Sequence, residues 1–487
     1  MTDRLSEKTL DQLSQEARRP GYDRATLRPR MVHLGVGAFH RAHQAVCTED
    51  AIEAKGGDWG VTGISLRSDT AETQLAPQDG LFTVGTREGQ DQSLRLIGNL
   101  TRVLTAPKAP QAVRAALAAP DLSVVTLTIT EKGYALDPAT GNLRTDAPEI
   151  AADLRSPREP ASAIGYLVEA FRNRREASLA PFTTVSCDNL PSNGERLRSA
   201  VLQFAGAVDK DLASWIEAEA AFPETMVDRI VPAVTEEDLA RAEAQMGLRD
   251  EGHIATEPFF QWAIEDSFCG PRPSWEAGGA LFVSEVAPYE AAKLRLLNGP
   301  HSAIAYLGYL AGHTYVHQVM ADEDLCAFVT ALMEEEIAPT VKAPDGFDLA
   351  SYTQDLRDRF RNPALNHRTW QIAMDGSQKL PQRLLNTIRD RRAAGAPIEK
   401  LATAVAAWMA YARGRDLNGE PIDVRDPMKD RLAEIGGAGS AADLVSGYLA
   451  LKDVFGDDLP RDEAFRTAVT GKLEALLAGG VTAALRG

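Results

Sequence analysis

Lys293, Asn298 and His301 fall within nine residues, KLRLLNGPH, inside an apolar helical run that a Gly-Pro pair interrupts. Oxidising an alcohol by hydride transfer needs a base for the hydroxyl proton and donors for the oxygen that becomes a carbonyl. Lys293 meets the first need if burial lowers its pKa toward neutrality. Asn298 offers an amide donor and His301 a second polar contact. On an ideal helix the three share one broad face, yet Pro300 argues against an uninterrupted helix. The pattern predicts one helix ending near Leu297 and another starting at Asn298, with Pro300 in its first turn. Side chains at such a break would project into a cleft. A capped helix junction with a surface lysine explains the same residues, and from this segment alone it is the better explanation.

A second stretch, MVHLGVGAFHRAHQAV (31–46), runs from an apolar strand through a glycine pair into a helical pattern. Gly35 and Gly37 permit a tight turn and a close approach of backbone N–H groups to a pyrophosphate. His40 stands where the usual third glycine would be, and an ordinary strand–helix turn accounts for the pair equally well. The next strand leads to Asp69, whose carboxylate can accept hydrogen bonds from ribose hydroxyls. Asp69 lies further from Gly37 than the usual spacing of about 20 residues, so an insertion must intervene. A carboxylate there repels a 2′-phosphate and favours NAD; Arg67 keeps NADP open, and a strand-end cap is the alternative role for Asp69.

These residues need elements to hold them. Short apolar runs at 31–37, 59–66, 122–130 and 181–189 alternate with helical segments such as 162–178, which predicts a mostly parallel sheet covered by helices. TEEDLARAEAQMG (235–247) carries Thr235 and Asp238 in capping-box spacing and ends at Gly247, a helix. Pro and Gly cluster at 270–280, and the pattern beyond is almost wholly helical. The reading is α/β, with a dinucleotide-binding domain at 1–280 and a mainly helical domain at 281–487.

A chain of 487 residues exceeds one core. Its net charge of -17 argues against a nucleic-acid surface, although a basic pocket for a small anion is compatible with it. The N-terminal segment lacks the apolar core of a signal peptide. Apolar stretches such as LATAVAAWMAYA (401–412) fall short of the roughly 20 residues that span a bilayer. Cys47, Cys187, Cys269 and Cys326 are isolated, so neither a disulfide framework nor a cysteine zinc site is suggested. A cytoplasmic enzyme-sized protein is expected.

Taken in order along nearly the whole chain, HLGVGAFHRAHQA, LTITEKGY, SCDNLPSNG, FPETMVDRIVP and KLRLLNGPH resemble the signature blocks of the mannitol dehydrogenase family, the polyol-specific long-chain dehydrogenases. The resemblance implies a Rossmann-type N-terminal domain, a mainly helical C-terminal domain, NAD as cofactor and metal-independent catalysis, often by a monomer. It implies Lys293 as general acid/base, Asn189 and Asn298 polarising the reacting oxygen, and His301 orienting the substrate. Asp228 and Lys379 match substrate-pocket positions, Glu290 a carboxylate for proton passage, and Glu131 a position near the nicotinamide. The chain departs from the mannitol-oxidising pattern at Gln371, where an arginine is usual. The blocks around 367–385 and 421–428 are similar instead to the branch of the family that interconverts D-mannonate and D-fructuronate. Lys379, Arg368 and Arg383 are nearby in sequence to meet a carboxylate; a mannitol or arabinitol dehydrogenase is the alternative.

His313 and His317, four apart on a predicted helix, have a metal-binding spacing but no third ligand, and an ordinary helix face explains them better. Cys187 beside Asp188 has no activating histidine in sequence and reads as a buried small apolar residue. His40 and His43 belong to the glycine block as structural or phosphate-side groups. A dinucleotide-binding sensor without turnover would have no need of an acid/base lysine.

Overall fold

The computed structural model describes residues 2–89, 91–137, 140–344 and 347–486. The chain divides into two compact units, Met1–Ala287 and Pro288–Gly487. In the first, five strands form one parallel sheet: Arg28–Leu34 (β1), Trp59–Ser65 (β2), Leu100–Thr105 (β3), Val124–Leu127 (β4) and Thr183–Ser186 (β5). Their order is β3-β2-β1-β4-β5, the doubly wound order with its switch point between β1 and β4. The strands are apolar on both faces because both are covered. Val32, Leu34, Val125 and Leu127 pack with the helices Ala163–Glu176 and Asn193–Val208. Met31, Val61, Val103 and Val124 face the opposite core, which includes Ala45, Val46 and Ala51 of Gln44–Lys55.

The long spacing from Gly37 to Asp69 is taken up by two helices, Ala38–Ala42 and Gln44–Lys55, which meet at His43. Two further sheets complete the unit. One joins Ala17–Arg18, Asp91–Ile97, Phe82–Glu88 and Ile254–Thr256; the other joins Leu281–Val283, Gln261–Glu265 and Thr225–Asp228. The helix predicted at 235–247 is Glu236–Met246, with both arms of the Thr235/Asp238 capping box made and Gly247 left-handed at its end.

The second unit is helical among its described residues. Helix Glu399–Ala412 is buried from Leu401 onward, so it is apolar all round as a core helix must be. It packs against Gly299–Leu310 and Glu463–Arg486. By length and composition Glu463–Arg486 is apolar enough to cross a bilayer, a segment that the sequence reading did not single out. Gly480 breaks it with φ 76°, and its Phe465, Val469, Leu473 and Leu476 are buried in the unit.

Three segments of this unit are π-helical: Lys293–Asn298, Leu332–Ile337 and Pro381–Leu385. The first corrects the expected break. Ala287–Ala292, Lys293–Asn298 and Gly299–Leu310 form one continuous run in which the Gly299 N–H bonds to the Leu294 carbonyl, five residues back. Pro300 removes a donor from the ladder, and the wide turn before it absorbs that loss without ending the helix.

Candidate functional site

In the first unit the turn after β1 defines a cavity of about 560 Å³ at the carboxyl ends of β1, β2 and β4. Its walls include Gly35, Val36, Gly37, Arg67, Ser68 and Thr130, at the topological switch point where doubly wound sheets bind ligands. Gly35 has φ 99°, and a Cβ there would stand 2.1 Å from the Thr128 carbonyl oxygen. Only glycine brings β1 and β4 this close. At Gly37 a Cβ would meet nothing nearer than 3.8 Å, so its small size leaves room for a ligand rather than for protein.

The cradle is braced from beneath. His33 reaches Thr126 Oγ1 (2.7 Å) through Nδ1, and Thr128 Oγ1 (2.8 Å) and the Gly35 carbonyl (3.0 Å) through Nε2. Burial lowers the His33 pKa to about 3, so the ring is neutral. His40 stacks on it at 3.4 Å, which gives this histidine a packing role. Asp188 accepts the N–H groups of Ile129 (3.0 Å) and Thr130 (2.8 Å) and the Tyr134 hydroxyl (2.7 Å). That carboxylate fixes the turn after β4, where Thr130 holds φ 64°. The glycine turn, the braced loop and the room beside them fit the pyrophosphate and ribose of a dinucleotide.

Around that cavity the sequence-predicted residues divide. Arg67 is on its wall and lies 3.5 Å from Glu149. Asp69 is just beyond it, exposed, with its carboxylate 2.6 Å from Lys108, whose hydrogen bond lowers its pKa. Glu131 is exposed at the start of the 3-10 turn Glu131–Tyr134. Asn189 is exposed in the turn after β5, and Asp228 is buried at the end of Thr225–Asp228. Cys187 is buried, and burial holds its thiol pKa well above the usual range.

In the second unit Lys293, Asn298 and His301 are 8%, 7% and 6% exposed. Five residues along an α-helix turn a side chain about 140° away, whereas the wider i→i+5 turn of a π-helix brings it nearer the face of its start. The π-turn Lys293–Asn298 thus turns Asn298 toward the face of Lys293, and His301 follows one turn on. Among the described residues, neither the Asn298 Nδ2 nor the His301 Nε2 has a hydrogen-bond partner. Glu290, half-buried, lies one turn before Lys293 in Ala287–Ala292.

Cations surround His301. Burial, then the charges of His367, Arg383, Arg359 and Lys379, hold its pKa well below the usual value. His367 stands edge-on at 5.3 Å and is lowered to about 4 by burial and Lys379. Lys379 donates to the carbonyls of Met374 (2.6 Å) and Ile372 (3.4 Å), and burial beside Arg383 lowers it to about 8. Arg383 Nη1 donates to Ser302 Oγ at 3.3 Å. Arg368 is exposed and lies over the Tyr315 ring at 5.6 Å, and Gln371 is exposed on Thr369–Ala373. His313 precedes the helix Val316–Ala321 that carries His317, so the two do not share a helix face.

Sequence reasoning missed His33, the Asp188 brace and His367, whose partners lie far along the chain. It also treated the blocks around 371–379 and 421–428 separately, and the structure locks them together. Asp426 accepts the Ser377 N–H (2.8 Å), the Asp375 N–H donates to the Arg425 carbonyl (2.9 Å), and Trp370 Nε1 donates to the Asp423 carbonyl (2.9 Å). Gly376 fits because a Cβ there would strike Trp408 Nε1 at 2.4 Å.

Residues 29–277 match the mannitol dehydrogenase Rossmann domain, and residues 285–477 match the mannitol dehydrogenase C-terminal domain. The uncharacterized oxidoreductase YeiQ of Escherichia coli K12 is 46% identical, over 96% of this chain and 96% of its own. D-mannonate oxidoreductase of the same strain is 45% identical, over 95% of this chain and 96% of its own. The structure of Pseudomonas fluorescens mannitol 2-dehydrogenase, a ternary complex with NAD and D-mannitol, superposes with a TM-score of 0.88 at 37% identity, covering 99% of each chain.

Proposed function

The chain belongs to the mannitol dehydrogenase family and is an oxidoreductase, and we propose that it interconverts D-mannonate and D-fructuronate with NAD. The carrying observation is the π-turn that holds Lys293 and Asn298, both buried, with no hydrogen-bond partner for the Asn298 amide nitrogen among the described residues. When bound, NAD supplies the nicotinamide carbon that accepts or gives the hydride; Gly35, Gly37 and Thr130 would hold its pyrophosphate and Asp69, just beyond the cavity wall, its ribose. Lys293 takes the proton of the C5 hydroxyl during oxidation and returns it during reduction, and Glu290 one turn away passes it toward solvent. The Asn298 amide donates to the reacting oxygen and stabilises the charge that develops there. His301, kept neutral by burial and then by the nearby Arg383, Arg359 and Lys379, turns Nε2 to a neighbouring hydroxyl. For Asn189, Asp228 and Glu131 we propose the roles that the family resemblance implies.

Two things support a sugar acid over a polyol. Identity is 45% with D-mannonate oxidoreductase against 37% with the P. fluorescens mannitol 2-dehydrogenase, and Lys379 and Arg383 put positive charge beside His301. A mannitol or arabinitol dehydrogenase is the second reading, favoured by the likeness in fold to that mannitol complex. Oxidation of NADH with D-fructuronate and D-fructose side by side separates them. A kcat/KM at least about 100-fold higher for D-fructuronate is expected; a preference for D-fructose overturns the sugar-acid reading.

A further inference from the structure

Four buried arginines of this protein direct donors to carboxylates or backbone carbonyls. Arg87 reaches Asp238 (2.7 Å), Arg172 reaches Glu169 (2.9 Å), Arg41 the Gly252 carbonyl (2.6 Å) and Arg174 the carbonyls of Ala180 and Ala119 (2.6 Å each). Arg383 is different. It is half-buried, and the side-chain contact that holds it is a hydroxyl, Ser302 Oγ, at 3.3 Å. Among the described residues no carboxylate forms an ion pair with Arg383 or with Lys379, four residues earlier. Of the two carboxylates whose charge Lys379 feels, Asp375 and Asp426, the latter accepts from the Ser377 N–H and hydroxyl, and neither lies in an ion pair with Lys379 among the described residues. A guanidinium carries five N–H donors in a planar fork that matches a carboxylate. Withdrawing such a group from water without an anion is costly.

The backbone places this fork relative to the reacting groups. The π-turn Pro381–Leu385 packs so tightly on the Lys293 run that a Cβ on Gly299 would lie 2.9 Å from the Arg383 carbonyl oxygen. Ser302, which receives Arg383, donates in turn to the Asn298 carbonyl at 3.3 Å. Asn298 and Ser302 are one helical turn apart, about 6 Å along the axis. In D-fructuronate four carbon–carbon bonds separate the ketone carbon from the carboxylate carbon, roughly 5 Å when extended.

We propose that Arg383, seated on Ser302 and seconded by Lys379, receives the carboxylate of the substrate and is the residue that selects sugar acids over neutral sugars. This rests on the sugar-acid reading above. The test compares wild type, Arg383→Gln and Arg383→Lys at saturating NADH, with D-fructuronate and D-fructose as substrates and D-gluconate as inhibitor. Arg383→Gln is expected to raise KM for D-fructuronate on the order of 100-fold, with a far smaller change for D-fructose and intact NADH binding. Arg383→Lys, which keeps the charge but loses the fork, is expected between the two. An equal loss on both substrates, or an unchanged KM for D-fructuronate, overturns the assignment and leaves the sugar-acid reading standing. A wild type that fails to reduce D-fructuronate sinks that reading instead. In that case competitive inhibition of D-fructose reduction by D-gluconate, lost in Arg383→Gln, sustains the carboxylate site, and absence of inhibition removes it.

Discussion

The glycine cavity of the first unit and the π-turn cluster of the second handle their polar groups in opposite ways. Beneath the cavity, His33, Thr126, Thr128, Asp188 and Tyr134 bond to one another and to the loop backbone; His40, stacked on His33 with no partner for its ring nitrogens among the described residues, is the exception. Around His301, an amide nitrogen, two imidazole nitrogens and a guanidinium keep unused donor or acceptor capacity among the described residues. A surface completed by the protein itself recognises a ligand by shape and backbone. One left incomplete recognises it by the groups the ligand must bring, and so discriminates sharply against analogues that lack them. On this view the cofactor is held by a rigid cradle, and the choice of substrate is made in the helical unit.

The largest expected break in that division is Lys293→Ala. Turnover should fall by roughly two to four orders of magnitude, while a fluorescence titration shows NADH binding nearly as in wild type. A matching loss of NADH affinity would make the lysine structural. Asn298→Ala comes next, with kcat lower by about one to three orders of magnitude and no change in cofactor affinity; an unaltered rate would remove the amide from the chemistry.

Gly35→Ala probes the other region. The added Cβ collides with the Thr128 carbonyl at a left-handed φ, a strain of about 1–3 kcal/mol. NADH should bind about tenfold more weakly or worse, with kcat at saturating cofactor changed only a few-fold. Unaffected NADH binding would show that the cradle yields, against the rigid reading. The smallest effect sharpens the comparison through pH. Lys379, lowered to about 8 and faced by Arg383, His367, Asp375 and Asp426, is charged below that pH and neutral above it. Sugar-acid affinity is therefore held below about pH 8 and weakens above it. The ratio of kcat/KM for D-fructuronate over D-fructose should fall as pH rises through 8. A flat ratio would take Lys379 out of anion recognition.

Much of the frame was legible because it depends on local pattern. Apolar runs with β-branched residues marked the strands, and Thr235 and Asp238 marked a helix start by a bond made within one turn. Gly35 stood out because a strand followed by G-x-G announces a turn. The order of the five strands, and so the switch point, was not written in any single segment.

The sequence by itself determined which side chains were available for chemistry: Lys293, Asn298 and His301 within nine residues, a glycine pair after β1, and cations near residue 379. Only the tertiary structure decided their arrangement. A Gly-Pro pair can end a helix or widen it; here the run continues through a π-turn at Lys293–Asn298, and the Pro381–Leu385 turn packs closely on Gly299. Arg368 and Arg383 are equal candidates in the chain; one lies on Tyr315 in solvent and the other on Ser302 beside His301. Residue type and local propensity act over a turn or two, whereas burial and the pairing of charges depend on neighbours brought in from 50 to 100 residues away. That is why the residue types could be read in advance and their burial and charge pairing could not.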